Sequence, residues 1–269
     1  MLNILYEDGD IIVSEKPAGM ESQSSRRFEP DMVSEIKNHI RISTQLSTKL
    51  STPGREPYVG VIHRLDKPVG GIMVYAKTQK AAAALSKQVQ DGRMKKTYWA
   101  VVCGKPVDIV GNYVDFLWRD GKTNYSRVVD KSVKDSKRAE LRYRVLAELP
   151  ETPREAAERL GESGGEEKVL SLVEVELLTG RHHQIRVQFA SHGTPLWGDV
   201  KYNPVWCSSG VGGADRRSGI PRAGSAAESG LALCSVGLAF VHPVTGKRME
   251  FFMKPKGSIF RRFEEEKEV

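Results

Sequence analysis

Two short apolar runs flank a polar turn in residues 2 to 17. Leu2, Ile4 and Leu5 lead into Asp8-Gly9-Asp10, and Ile11-Ile12-Val13 return, which predicts a β-hairpin ended by Lys16-Pro17-Ala18-Gly19. From Pro30 the period lengthens: Val33, Ile36 and Ile40 recur at helical spacing behind Asp31, a capping residue. Residues 43 to 57, rich in Ser, Thr and Pro, predict a loop. An apolar approach at Val61-Ile62 then delivers His63-Arg64-Leu65-Asp66-Lys67. Pro68 and Gly70-Gly71 mark a bend, and the apolar run 72 to 76 predicts a strand. Thr78 is placed to cap a helix to about Asp91, with Ala81, Ala82, Leu85 and Val89 on one side and Gly92 as its stop.

A strand over Tyr98 to Cys103 follows, with Tyr98, Ala100 and Val102 on one face and Trp99, Val101 and Cys103 on the other. Residues 107 to 149 alternate short strand-like runs with polar turns, one of which carries the basic group Lys131, Lys134, Lys137 and Arg138. Glu151 to Lys168 reads as a short helix and loop inserted between strands. Val169 to Leu178 alternates as a strand, and Arg181 to His192 predicts a helix stopped by Gly193. The Gly- and Ser-rich stretch 203–230 buries little and is expected to be a mobile loop. Two strands, Leu231 to Val241 and Met249 to Pro255, flank a turn at 242 to 246, before an acidic tail expected to fray.

Composition narrows the class. The chain has 269 residues, 39% hydrophobic and 28% charged, enough for one large domain or two close lobes. No apolar run approaches the roughly 18 residues of a spanning helix, and the N-terminus lacks the basic flank of a signal peptide. A cytoplasmic protein with no membrane partner is expected. The three cysteines, Cys103, Cys207 and Cys234, are far apart and include no C-x-x-C pair, which argues against disulfides and structural zinc. The net charge of +7 nominates a polyanionic partner without choosing one. Phosphate-loop, dinucleotide-binding, zinc-protease and serine-hydrolase motifs are absent, so no small-molecule cofactor is implied.

Three ordered segments carry the chemistry: His63-Arg64-Leu65-Asp66, Lys96-Thr97-Tyr98-Trp99-Ala100-Val101-Val102, and Leu178-Thr179-Gly180-Arg181-His182-His183-Gln184-Ile185-Arg186-Val187 with Gly198-Asp199-Val200-Lys201-Tyr202. Together they resemble the RluA-type RNA pseudouridine synthases over most of the chain, and the Lys16-Pro17 pair matches as well. The resemblance implies an isomerase with a single catalytic domain over 1–269. Its fold would be α+β: a large mixed, mostly antiparallel twisted sheet in two lobes with flanking helices. Because the hairpin opens the sequence, no separate N-terminal RNA-binding domain is expected. The resemblance makes Asp66 the nucleophile or base. It gives Tyr98 a ring to stack on the target base and a hydroxyl to move protons, and makes Arg186 the cation that keeps Asp66 ionised against desolvation.

Arg64 corresponds to the residue that enters the space left by the flipped base. Lys67, Lys95, Lys96 and Arg181, with Arg93, are candidates for the RNA backbone. The implied partner is rRNA or tRNA, and the expected state a monomer. His182-His183 is not read as a metal site, since neighbours on a helix diverge by about 100°. Asp199 reads as a turn aspartate. The match departs at His182, where Ser or Thr is usual, and at Gln188 and Cys234, where His is usual. Those departures bear on substrate identity more than on reaction type. Two rivals remain. A non-catalytic RNA-binding protein retaining the cleft is opposed by the intact trio, and a glycoside-type hydrolase wants a second acidic group in the motifs.

Overall fold

The computed structural model describes residues 2–24, 29–48, 56–150, 169–203 and 230–265. The fold is α+β, with a large, mostly antiparallel sheet and flanking helices. It divides into two compact units, Met1–Lys96 with Ser235–Lys254, and Thr97–Cys234 with Pro255–Val269. No helix among the described residues is long and apolar enough to cross a membrane.

In the first unit β1 (Asn3–Glu7) and β2 (Ile11–Lys16) form the expected hairpin, and Asp8 Oδ1 closes its turn on the amides of Asp10 and Ile11. The helix α1 (Met32–Thr48) starts where Asp31 Oδ1 accepts from Ser34 N at 2.7 Å. It runs past residue 43, where a loop was expected. The Ser and Thr residues there cost only a few tenths of a kcal/mol each in a helix, less than the composition implied. Next come β3 (Gly60–Val61) and β4 (Gly70–Ala76), and then α2 (Gln79–Gln90), capped by Thr78 as expected. Gly92, at φ +68°, ends that helix. The strand order is β1-β2-β4-β10, where β10 spans Leu233–Val241 and enters this unit at Ser235; β11 (Arg248–Phe252) lies beside β10 and β3 beside β4.

The buried core here comes from alternate residues of these strands: Ile11, Val13, Ile72, Val74, Leu238 and Phe240, covered by Ala81 and Leu85 of α2. Gln88 ties α2 to β10 through both main-chain groups of Val241, at 2.7 and 2.8 Å. One glycine of the predicted bend is obligatory. Gly71 has φ +127°, and a Cβ there would lie 2.2 Å from the carbonyl oxygen of Ser235.

The second unit is built on β5 (Lys95–Cys103, entering it at Thr97), β6 (Val110–Asp120), β7 (Tyr125–Val129), β8 (Lys137–Pro150) and β9 (Val169–Leu177), in the order β5-β9-β8-β6-β7. β7 and β8 flank β6 on opposite sides, so the segment 130–136, with its lysines, carries the chain across β6. The helix α3 (Gln184–Ser191) begins three residues later than periodicity suggested, because His183 adopts a left-handed conformation. Its Val187 packs on Leu117 and Ala139. Phe189 packs edge-on against Tyr113 and Tyr143. A helix that periodicity did not predict, α4 (Ser258–Glu265), buries Ile259, Phe260 and Phe263. The insert expected over 151–168, the interior of the 203–230 loop and the acidic residues past 265 lie outside the described residues.

Candidate active site

Asp66 sits in the turn between β3 and β4, closed by the Val69 amide donating to the Asp66 carbonyl at 2.9 Å. The turn is braced by the segment after β2. Lys16 is fully buried, and its Nζ donates to the carbonyls of Pro17, Met20 and Lys67. Gly19 N donates to the Lys67 carbonyl at 2.8 Å. Ser22 Oγ donates to the Leu65 carbonyl at 3.0 Å and accepts from the Leu65 amide at 3.1 Å, holding the residue before Asp66 at both ends. Burial pulls the Lys16 pKa down to about 8, against the pull of the Asp66 and Glu21 charges that favour its protonated form. A buried cation therefore acts on Asp66 from within its own unit. Sequence reading took Lys16-Pro17 only as a strand end and a family match. The signal in the sequence is slight: Lys16 shares a strand face with Ile12 and Ser14.

Around Asp66 the other expected residues differ in kind. Arg64 is exposed, and its Nη2 donates to Gln23 Oε1 at 3.0 Å. Lys67 is exposed beside Glu29 and Glu21, at 3.4 and 3.9 Å. Lys95 is exposed at the start of β5, but Lys96 is only 8% accessible, and burial lowers its pKa. Its location differs from that of the solvated, backbone-tracking lysine the charge pattern suggested, because strand alternation turns it inward. Both ring nitrogens of His63 are buried with no hydrogen-bond partner among the described residues. Burial, then the Lys96 charge, pull its pKa down to about 3, so the ring is neutral. An open cavity of about 650 Å³ lined by Lys37, Glu56, Tyr58, Val59 and Gln79 includes none of the expected site residues.

In the second unit Tyr98 is buried on β5, opposite Val175 of β9. Arg186 lies in the first turn of α3. Its Nε and Nη2 donate to Asp199 Oδ2 and Oδ1 at 2.8 and 2.7 Å, and the two side chains are 6% and 0% exposed. A bidentate pair of this kind fixes the plane of the guanidinium as well as its position. Asp199 is also the turn aspartate expected from sequence, since Oδ1 accepts from the amides of Lys201 and Tyr202. The Tyr202 ring lies 5.1 Å from the Arg186 guanidinium carbon. Arg181 is exposed, with Nε donating to the Arg138 carbonyl at 2.9 Å.

His182 and His183 precede α3 instead of lying on it, and their rings stack 3.7 Å apart. Each uses Nδ1 in a hydrogen bond, with Ser126 Oγ at 2.8 Å and with the Tyr202 hydroxyl at 2.7 Å. Burial and neighbouring cations, Arg119 first for His182 and Arg186 first for His183, lower their pKa values to about 4 and about 2. The sequence argues against a metal role for these histidines and marks His182 only as a departure from the family motif.

Residues 10–191 match the family model described as RNA pseudouridylate synthase. The ribosomal large subunit pseudouridine synthase D of Zymomonas mobilis is 30% identical over 251 residues, covering 93% of this chain and 68% of that protein. An uncharacterized RNA pseudouridine synthase of Aquifex aeolicus is 33% identical over 75% of this chain and 56% of its own length. The fold is shared with the solved human RNA pseudouridylate synthase domain containing 4, at a TM-score of 0.61 and 21% identity over 96% of this chain and 90% of that one. The chain belongs to the RNA pseudouridylate synthase family, and within it to the RluA type, isomerases that act on RNA.

Proposed function

We propose that this protein isomerises a specific uridine in ribosomal or transfer RNA, with Asp66 as nucleophile or base. The reaction breaks the bond from ribose C1′ to uracil N1 and forms one from C1′ to C5. The C5 proton is lost and N1 gains one, so no electrons are exchanged. Asp66 has to be ionised in a site partly stripped of water, where desolvation raises a carboxylate's pKa. The observation that carries this reading is the braced turn that fixes Asp66 beside a buried cation, Lys16. Arg186 supplies a second positive charge, held in a bidentate pair with Asp199. Tyr98 offers a ring for stacking and a hydroxyl for proton movement.

The target uridine must leave its stack to be reached, which costs a few kcal/mol. Exposed Arg64 is the residue proposed to occupy the vacated space. Lys67, Lys95 and Arg181 are proposed to follow the backbone, and Lys96 to do so only if its site opens. The enzyme is proposed to work as a cytoplasmic monomer.

The test uses total RNA labelled with [5-³H]uridine from cells lacking this protein, since forming the new bond at C5 releases tritium to water. The wild-type protein is expected to release tritium, and the Asp66→Ala variant to bind the RNA without releasing any. No release by the wild-type protein would favour the non-catalytic RNA-binding rival. Mapping the new pseudouridines then identifies the RNA and the position.

A further inference from the structure

We infer that His183 and Tyr202 are positioning residues for Arg186, acting as one hydrogen-bonded unit that ties the start of α3 to β7. This rests on the proposed role of Arg186. The Ser126 amide can only donate, and it donates to the Tyr202 hydroxyl at 2.9 Å. With that donor in place, we assign the hydroxyl's own proton to His183 Nδ1, 2.7 Å away. That assignment requires a bare Nδ1 and a proton on Nε2, hence a neutral imidazole. A protonated His183 would place a charge next to Arg186, and the nearby cations oppose it.

The arrangement constrains Arg186 from two directions. Asp199 grips the edge of the guanidinium, and the Tyr202 ring lies against it at 5.1 Å. Tyr202 cannot swing away while its hydroxyl is held between β7 and His183. His183 in turn is the left-handed residue, φ 54°, from which α3 springs, and its carbonyl accepts the first helical amide bond, from Val187 at 3.0 Å. The histidine therefore sets both the direction of the helix carrying Arg186 and the ring packed against it. His182 backs this arrangement by stacking on His183 and bonding Ser126 Oγ.

Asn, Gly and Phe separate the roles. Asn tolerates the left-handed conformation and carries an acceptor two bonds from Cβ, as Nδ1 is; Gly tolerates the conformation and carries none. With the tritiated total RNA and protein in excess, His183→Gly and Tyr202→Phe are each expected to lower the saturating single-turnover rate by about tenfold or more, with half-saturation unchanged within about twofold. His183→Asn should stay within about threefold of wild type, and the Tyr202→Phe/His183→Gly double variant should be no slower than the slower single, as for residues acting as a unit. Melting temperatures confirm that each variant is folded. A wild-type rate for Tyr202→Phe, an effect confined to half-saturation, an Asn variant as slow as Gly, or additive losses would each overturn the inference. Arg186→Lys separates the two levels. If it keeps the wild-type rate, the role of Arg186 fails and this inference with it. If it is slow while Tyr202→Phe is not, only the positioning fails.

Discussion

In the Asp66 turn, Lys16 and Ser22 act on main-chain groups. Lys16 reaches three carbonyls and Ser22 both main-chain groups of Leu65, so the backbone is held and the carboxylate is carried by it. Around Arg186 the contacts fall on the side chain itself, through Asp199 and the Tyr202 ring. The difference follows from length. A carboxylate one carbon from Cα moves little once its backbone is fixed, whereas a guanidinium at the end of three methylenes needs its own restraints. The two regions therefore fail differently when altered.

The sharpest contrast is between Asp66 and its surroundings. Asp66→Ala is expected to lower the rate of pseudouridine formation by at least about 10³-fold while the melting temperature holds, because the role proposed for the group is chemical. In the second unit the reverse should appear. Asp199→Ala leaves a buried guanidinium without its carboxylate and should destabilise the protein by about 3–5 kcal/mol, read from urea unfolding. A loss below about 1 kcal/mol would mean that the pair is not desolvated as its burial indicates.

Lys16→Met tests the cation in the first unit. Losing that charge makes Asp66 harder to ionise, so the acid limb of the rate profile should move to higher pH, with a rate loss of about tenfold at neutral pH. The wild-type rate should also fall above about pH 8 as Lys16 itself deprotonates, and that limb should vanish in the variant.

Acid stability sharpens the comparison further. His63, at about 3, and His182, at about 4, have folded pKa values below the ordinary 6.5, so the unfolded chain binds more protons between those values. Their contribution is complete above about pH 6.5 and is lost as the pH falls toward 4 and then 3. The melting temperature should drop by several degrees from pH 6.5 to 5, and less in His63→Phe. A melting temperature independent of pH in both proteins would show that these rings are not buried neutral. The smallest effect is expected on the exposed face of β8, where Arg144→Ala removes a pair with Glu174 at 2.9 Å and should cost less than about 1 kcal/mol in urea unfolding.

Much of this was legible along the chain. The hairpin, the Thr78 cap, the strand of Tyr98 and the alternation of Val173, Val175 and Leu177 are local patterns of period two or 3.6, and local patterns survive folding. The three motifs that point to the family were readable for the same reason, being contiguous runs. The extension of α1 and the presence of α4 were not, because neither cap nor composition announced them. The inward turn of Lys96 and the left-handed His183 were also hidden, since they depend on which face of the sheet is covered and on a contact with Tyr202, 19 residues away.

By itself, then, the order of residues determined the family and most element types, and it nominates Asp66, Tyr98 and Arg186 as candidates. Only the tertiary structure decided what holds them: Lys16 beneath the Asp66 turn, 51 residues from the carbonyl it grips on Lys67, and Asp199 with Tyr202 around Arg186. A charge becomes a restraint only where burial removes competing water, and burial is a property of the whole fold that no short run of sequence contains.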